Sequence, residues 1–327
     1  MYSSLASARL TTGETIDISV VLAPDHQWQS QIIPFLGHKP GNFQWHLEMA
    51  FQNEKIPILE TRFYLAVLQG QPICNIMTVE YAGIGILGHV YTLPAHRRKG
   101  VCRALMGEQM SDFTRRGGRY MTLGTGFDTH PYRIYESFGF RSVITDSGFM
   151  KFRTDDAFEA QFFGIEAVSI VKPDWRHWPI INVLCAERGG AFIRNVACEL
   201  FGPSNFEGGY LTFLRGTIED TRRDARLLVS ATGAIVGYAT VQPDRRWADQ
   251  SMLVDLHLQA NFTSKAHNLL RSLPLPTGSK ILCWTESDTD WKIAALMEEG
   301  FQHEATLRNQ VARDGRTVNA EVYSLET

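Results

Sequence analysis

The sequence predicts a mixed α/β (α+β) protein made of two successive units of one kind, each a mostly antiparallel sheet flanked by helices. Three observations predict it. Residues 62–92 hold three consecutive β-rich runs joined by short turns. A helix, a strand, a second helix and two closing strands follow, as far as Phe152. The same order then returns between Arg226 and the end of the chain. At roughly 100–200 residues per domain, the 327 residues also suit two domains better than one.

Each element has a local reason. Asp17 to Leu22 alternates polar and apolar residues, as a half-buried strand does. His26 to Phe35 and Asn42 to Phe51 read as helices, the second after the punctuation of Pro40-Gly41. Arg62 to Leu68 and Pro72 to Tyr81 are β-rich runs around Gln69-Gly70-Gln71, a hairpin signal, and Ile84 to Thr92 follows as a third strand. From Gly100 the apolar residues Cys102, Leu105, Met106, Met110 and Phe113 fall on one helical face. Arg115 and Arg116 suit the last turn of that helix, and Gly117-Gly118 ends it. Tyr120 to Gly124 is a short strand, Pro131 to Phe138 a helix stopped by Gly139, and Phe140 to Val143 and Phe149 to Phe152 are strands.

Composition narrows the function. With 44% hydrophobic and 11% aromatic residues, a packed core is expected and disorder is not. No run nears the ~18 apolar residues of a membrane helix, and Met1 to Leu10 lacks the pattern of a secretory signal. A cytoplasmic protein without a membrane partner is expected. A net charge of −3 gives no general basicity for nucleic acid. The five cysteines (Cys74, Cys102, Cys185, Cys198, Cys283) form no C-x-x-C pair, so reduced thiols acting as small hydrophobes are expected, with no metal site.

The informative segment runs Val90-Tyr91-Thr92-Leu93-Pro94-Ala95-His96-Arg97-Arg98-Lys99-Gly100-Val101-Cys102-Arg103. A strand enters a basic turn and Gly100 opens a helix. The unpaired N–H groups at a helix start attract anions, and Arg97, Arg98, Lys99 and Arg103 add charged donors. Gly100 carries no Cβ to keep a phosphate from the backbone. A pyrophosphate fits these features, and so does a solvated basic turn.

The run resembles the acyl-CoA pyrophosphate loop of the GNAT superfamily of N-acetyltransferases, R/Q-x-x-G-x-G/A, with Arg97, Gly100 and Cys102 at its three signature positions. The family's second hallmark, Y-x-x-x-G-F, is matched 38 residues after Arg97 by Tyr135-Glu136-Ser137-Phe138-Gly139-Phe140. The resemblance covers about residues 15–153. It departs at Cys102, where the family prefers Gly or Ala, and at Asp128, where many members have Asn.

The resemblance implies an acetyl-CoA-dependent N-acetyltransferase in which a primary amine of a small molecule attacks the thioester directly. It assigns Val90, Tyr91, Thr92, Arg97, Arg98, Lys99, Gly100, Val101, Cys102 and Arg103 to the acetyl-CoA site, and it makes a backbone N–H of the 90–92 strand the oxyanion donor. Tyr135 becomes the acid for the departing thiolate, since a phenol near ~10 and a thiol near ~8.5 are closely matched. Tyr135 also reads as a core aromatic. His89 is the first choice as acceptor of the amine proton and Glu80 the second, with water or a purely structural histidine as the other readings. His130 reads as a helix cap or a substrate-edge residue.

The second half echoes the order without the chemistry. Pro173 to Arg188 and Phe192 to Phe201 are expected as its opening helices. A hairpin around Thr232-Gly233, a strand Met252 to Leu258, a helix Phe262 to Leu273 and a strand Lys280 to Thr285 follow. A helix capped by Asp288 or Asp290 then ends at Gly300-Phe301, before a hairpin around Asp314-Gly315. Gln259-Ala260-Asn261-Phe262-Thr263 stands where a pyrophosphate loop would be, and Leu296 stands in the place of Tyr135. Residues 1–155 are therefore expected to be a catalytic GNAT-like domain, and 156–327 a degenerate, non-catalytic one.

Two other functions stay open: a tRNA-dependent aminoacyl transferase of the tandem-GNAT type, and a GNAT-fold protein that binds CoA without turnover. The acceptor amine and the choice of monomer or homodimer are undetermined. Trp28, Phe43 and Trp45 suit either an acceptor pocket or the core.

Overall fold

A computed structural model describes residues 1–52, 56, 58–313 and 315–327. The chain divides into two compact units, 1–158 with 178–180 and 159–177 with 181–327.

Unit 1 carries β1 (Tyr2–Arg9), β2 (Thr15–Leu22), α1 (His26–Phe35), α2 (Gly41–Phe51), β3 (Glu60–Leu68), β4 (Gln71–Tyr81) and β5 (Ile84–Thr92). It continues with α3 (Val101–Arg115), β6 (Tyr120–Gly124), α4 (His130–Ser137), β7 (Arg141–Ser142) and β8 (Phe149–Arg153). Its eight-stranded sheet has the order β1-β2-β3-β4-β5-β6-β8-β7. Every neighbouring pair is antiparallel except β5 and β6, which the α3 crossover makes parallel. The core lies between this sheet and α3 and α4, with Tyr64, Ile76, Leu105, Phe113, Met121 and Phe140 in one buried cluster. The expected elements are present within a few residues. The edge strand β1 is additional: its serines and alanines give little apolar signal, and most of its residues are exposed.

The short helix α5 (Phe158–Phe162) spans the boundary. Unit 2 continues with β9 (Val168–Val171), α6 (His177–Cys185), β10 (Ile193–Asn195), β11 (Leu200–Phe201), α7 (Glu207–Glu219), β12 (Asp224–Ser230), β13 (Ile235–Pro243) and β14 (Ser251–Leu258). It closes with α8 (Ala266–Arg271), β15 (Lys280–Glu286), α9 (Asp290–Glu298), β16 (Gln302–Arg313) and β17 (Arg316–Glu326). Its sheet runs β9-β12-β13-β14-β15-β17-β16, and again a single pair, β14 with β15, is parallel. Seven positions of the two sheets thus correspond one to one, down to the swapped order of the last two strands.

Three expectations for unit 2 are corrected. Phe192 to Phe201 is not a helix but the β10–β11 hairpin. Arg194, fully buried, explains it: its guanidinium donates to the carbonyls of Ala191, Leu184, Cys185, Glu187 and Gly189, holding the preceding loop to the hairpin. The second opening helix is α7 instead. The helix expected over Phe262–Leu273 is a 3-10 turn, Ala260–Lys265, followed by the shorter α8. The cap of α9 is Thr289, flanked by the two aspartates that were expected there. Asp314 lies outside the described residues, although Arg313 pairs with Arg316 across the hairpin.

Candidate functional site

The site begins with a gap in the unit 1 sheet. β5 pairs with β6 only from Ile84 to Ile86, and the recorded pairing ends at Ile86 opposite Thr122. On its other side β5 stays bonded to β4 as far as Thr92, which faces Cys74. Leu87 to Thr92 therefore has a partner strand on one side only. A register shift between Asn75 and Met77 leaves His89 and Val90 as the bulged residues of β5. His89 takes φ +51, rare for a residue with a Cβ, and the Asn75 amide holds the bulge by donating to the His89 carbonyl at 2.9 Å.

Beyond Thr92 a 3-10 turn, Pro94–His96, leads to α3. Gly100 is its N-cap in the left-handed region, φ +85, and no side chain caps the helix start. A Cβ built on Gly100 would meet only a Thr11 methyl carbon at 3.8 Å. The glycine is thus required by its φ rather than by space, and another residue there would cost roughly 1–2 kcal/mol. The first N–H groups of a 15-residue helix are left to whatever occupies the space beyond.

That space is a cavity of about 560 Å³ whose walls include Val90 to Thr92, Arg97, Arg98, the helix start from Gly100 to Arg103, and Tyr135. Nine of the ten residues assigned from sequence to the acetyl-CoA site lie on it. The exception is Lys99. Its amine turns to Glu14 (3.3 Å), and its carbonyl accepts from the backbone and hydroxyl of Thr11 (3.4 and 3.1 Å). Arg97 is held in the wall: its Nε donates to the Thr92 carbonyl at 3.0 Å, and its guanidinium lies 5.8 Å from the Tyr91 ring.

Tyr135 comes from α4, whose N-cap Thr129 accepts from the Tyr132 N–H. Its ring is buried in the core cluster. Burial, with the nearby Cys102 and Cys74, pushes its phenol above the usual range, so the near-equal match to a thiol expected from sequence is not met by the protein alone. The phenol is a firmly protonated hydrogen-bond donor. His130 and Ile134 of the same helix, and His96, line the cavity as well. Of α4, the sequence singled out Tyr135 and, as a cap or a substrate-edge residue, His130; the cap is Thr129, and His130 lies on the cavity wall.

His89 is buried but is absent from the cavity wall. Its ring stands edge-on to Phe43 of α2 at 4.8 Å. Its Nε2 is buried and has no hydrogen-bond partner among the described residues. Burial, then the charges of Lys39, His46 and His38, hold its pKa well below the usual histidine range. It is therefore neutral across the physiological range. Glu80 is placed elsewhere: near the far end of β4 it accepts from Arg116 at 2.6 and 3.0 Å and from Thr78 at 2.6 Å. Asp128 pairs with Arg133 on the surface. Of the three aromatic residues, Phe43 meets His89, and Trp28 stacks on Tyr2 of β1.

Among the described residues no cluster of three or more His, Cys, Asp or Glu has metal-holding geometry. No helix of the described residues is long and apolar enough to cross a membrane.

No curated protein matches the chain in sequence. Among solved structures, an N-acetyltransferase from Staphylococcus aureus Mu50 is similar at 16% identity, covering 49% of this chain and 99% of its own, with a TM-score of 0.38. The dodecameric spermidine N-acetyltransferase from Vibrio cholerae is similar at 14% identity, over 49% of this chain and 93% of its own, with a TM-score of 0.36. Residues 60–142 match the family model described as "Acetyltransferase (GNAT) domain", a stretch that begins with β3, ends with β7 and contains the strand gap, the bulge and the open start of α3. That segment, within unit 1, is thus similar to a GNAT acetyltransferase domain.

Proposed function

We propose that unit 1 transfers an acetyl group from acetyl-CoA to the primary amine of a small molecule by direct attack, and that unit 2 is non-catalytic. The observation that carries this reading is the free side of β5 leading straight to the uncapped start of α3, with Tyr135 across the cavity. Arg97, Arg98, Arg103 and the first N–H groups of α3 fit a pyrophosphate, and the free edge of Val90 to Thr92 fits the amides of a pantetheine arm.

In this reading a backbone N–H of the 90–92 segment stabilises the oxyanion formed when the amine attacks. Tyr135 donates its phenolic proton to the departing sulfur. Because the phenol is held above its usual range, its work is donation as negative charge builds on sulfur, not release of a proton beforehand. To His89, whose buried Nε2 has no hydrogen-bond partner among the described residues, we assign the relay of the amine proton through water, its lowered pKa suiting it to pass the proton on rather than hold it.

Isothermal titration with acetyl-CoA tests the reading, together with CoA release measured over a panel of amines. Saturable binding, abolished in Gly100→Glu, is the expected result. No heat from the wild-type protein would remove the transferase assignment. Binding without release on any amine would favour a CoA-binding protein.

A further inference from the structure

The turn between β1 and β2 stands against the basic loop that enters α3, and it lies outside residues 60–142 matched by the family model. Its own bonds hold it in shape. The Leu10 N–H donates to the Glu14 carbonyl at 2.8 Å and the Gly13 N–H to the Leu10 carbonyl at 2.9 Å, with Gly13 at φ +88. Leu10 is buried in one cluster with Val101 and Leu105 of α3, which fixes the turn beside the helix start. The Thr12 hydroxyl donates to the Glu14 carboxylate at 2.7 Å. That bond, then Lys99, holds the Glu14 carboxyl below the usual carboxylate range, so it is an anion where it meets the Lys99 amine at 3.3 Å.

The basic loop needs such a support. Arg98 takes φ +62 and Gly100 φ +85, so left-handed residues stand on both sides of Lys99. A residue with a Cβ keeps that conformation only where its surroundings over-determine it. The Lys99 carbonyl supplies a restraint, accepting from the Thr11 N–H at 3.4 Å and from the Thr11 hydroxyl at 3.1 Å. The peptide between Lys99 and Gly100 is trans, and the C=O and N–H of a planar trans peptide point in opposite directions. Tying the Lys99 carbonyl to Thr11 therefore turns the Gly100 N–H away from the turn. Gly100 lines the cavity and Lys99 does not.

We propose that Thr11 and Glu14 are positioning residues for the acetyl-CoA site. Thr11 fixes the Lys99–Gly100 peptide so that its N–H is presented to the pyrophosphate. Glu14 holds the Lys99 amine outside the cavity, so Lys99 is a tether for the loop and not a phosphate ligand. This role rests on the acetyl-CoA reading of the cavity.

Isothermal titration of full-chain variants with acetyl-CoA tests it, with the thermal midpoint of each variant measured alongside. Thr11→Val keeps the shape and loses the hydroxyl, and binding about fivefold weaker is expected. Thr11→Ser restores the donor and should bind as the wild type does. Glu14→Gln and Lys99→Met break the same ion pair, so each should weaken binding by about two- to threefold. The double variant should then be no weaker than either single one. A lysine that touches phosphate gives a different pattern: Lys99→Met alone loses about tenfold or more, and the loss adds to that of Glu14→Gln.

Wild-type affinity in Thr11→Val, even with a lowered thermal midpoint, would make Thr11 structural only and overturn its role. Additive losses in the Glu14 and Lys99 variants would overturn the tether. Absence of binding by the wild-type protein would remove the acetyl-CoA reading itself, and the positioning role would fall with it.

Discussion

The two units share a sheet order and differ in what fills the gap beside their single parallel strand pair. In unit 1, β5 leaves β6 after Ile86 and the space ahead of α3 is open. In unit 2, β14 leaves β15 after Val254 in the same way. There the β10–β11 hairpin lies against both strands. Asp255 accepts from the backbone of Val196 and Ala197 (2.8 and 3.5 Å), Glu286 accepts from Phe192 and Ile193, and the Lys292 amine donates to the Ile193 carbonyl at 3.1 Å. The following helical start differs too. Gln259 caps its own turn by accepting from the Asn261 N–H at 2.7 Å, whereas Gly100 caps nothing. One topology leaves an open cavity when the strand gap and helix start are left unsatisfied. When buried charges satisfy the chain that fills the gap, the gap is closed.

This comparison can be broken, and the largest expected effect lies in unit 2. Lys292→Met leaves Asp255 and the Ile193 carbonyl without their buried cation. Loss of one partner from such a cluster should lower stability by about 3–5 kcal/mol. Urea unfolding measures this, and unchanged acetyl-CoA affinity in the folded variant would agree with a support role for unit 2. In unit 1, Tyr135→Phe keeps the ring and removes the proton donor. Turnover should fall by about 100-fold or more with acetyl-CoA affinity retained. Unaltered turnover would return Tyr135 to the core.

Acid should act on the two units with opposite sign. His46, fully buried, has its pKa lowered by burial from 6.5 to about 3. A depressed folded pKa gives a contribution that is present above 6.5 and is lost as pH falls toward 3. Between pH 7 and 5 this withdraws about 2 kcal/mol from unit 1. Asp255 is raised by burial from 3.8 to about 6, so its contribution is present below 3.8 and is lost as pH rises through 6. Over the same acid step unit 2 regains about 1 kcal/mol. The stability difference between His46→Gln and wild type should shift in favour of the variant at pH 5, and that between Asp255→Asn and wild type in favour of the wild type. The same sign for both would break the contrast. The smallest effect is that of Gln259→Ala, about 1 kcal/mol for a lost cap.

The site was only partly legible because its parts are of two kinds. Arg97, Gly100 and Tyr135 sit in contiguous runs whose spacing shows a helix start, and a motif exposes them. Asn75 lies in an ordinary β-rich run, and its hold on the bulge exists only through the pairing of β4 with β5. Lys99 looked equivalent to its basic neighbours until the Thr11–Glu14 turn was brought beside it. In unit 2, Phe192 to Phe201 was misread as a helix because no local rule expects an arginine to be buried beneath a hairpin.

The sequence by itself determined the strands, the helix starts and the basic turn, since alternation, helical spacing and a glycine at φ +85 act within a few residues. Which gap stays open was decided by the tertiary structure. So were the neutral state of His89, the contact of Cys74 with Thr92 and the closure of the unit 2 gap by Asp255, Glu286 and Lys292. These depend on burial and on partners far along the chain, and the cost of an unpaired polar group appears only once water has been excluded.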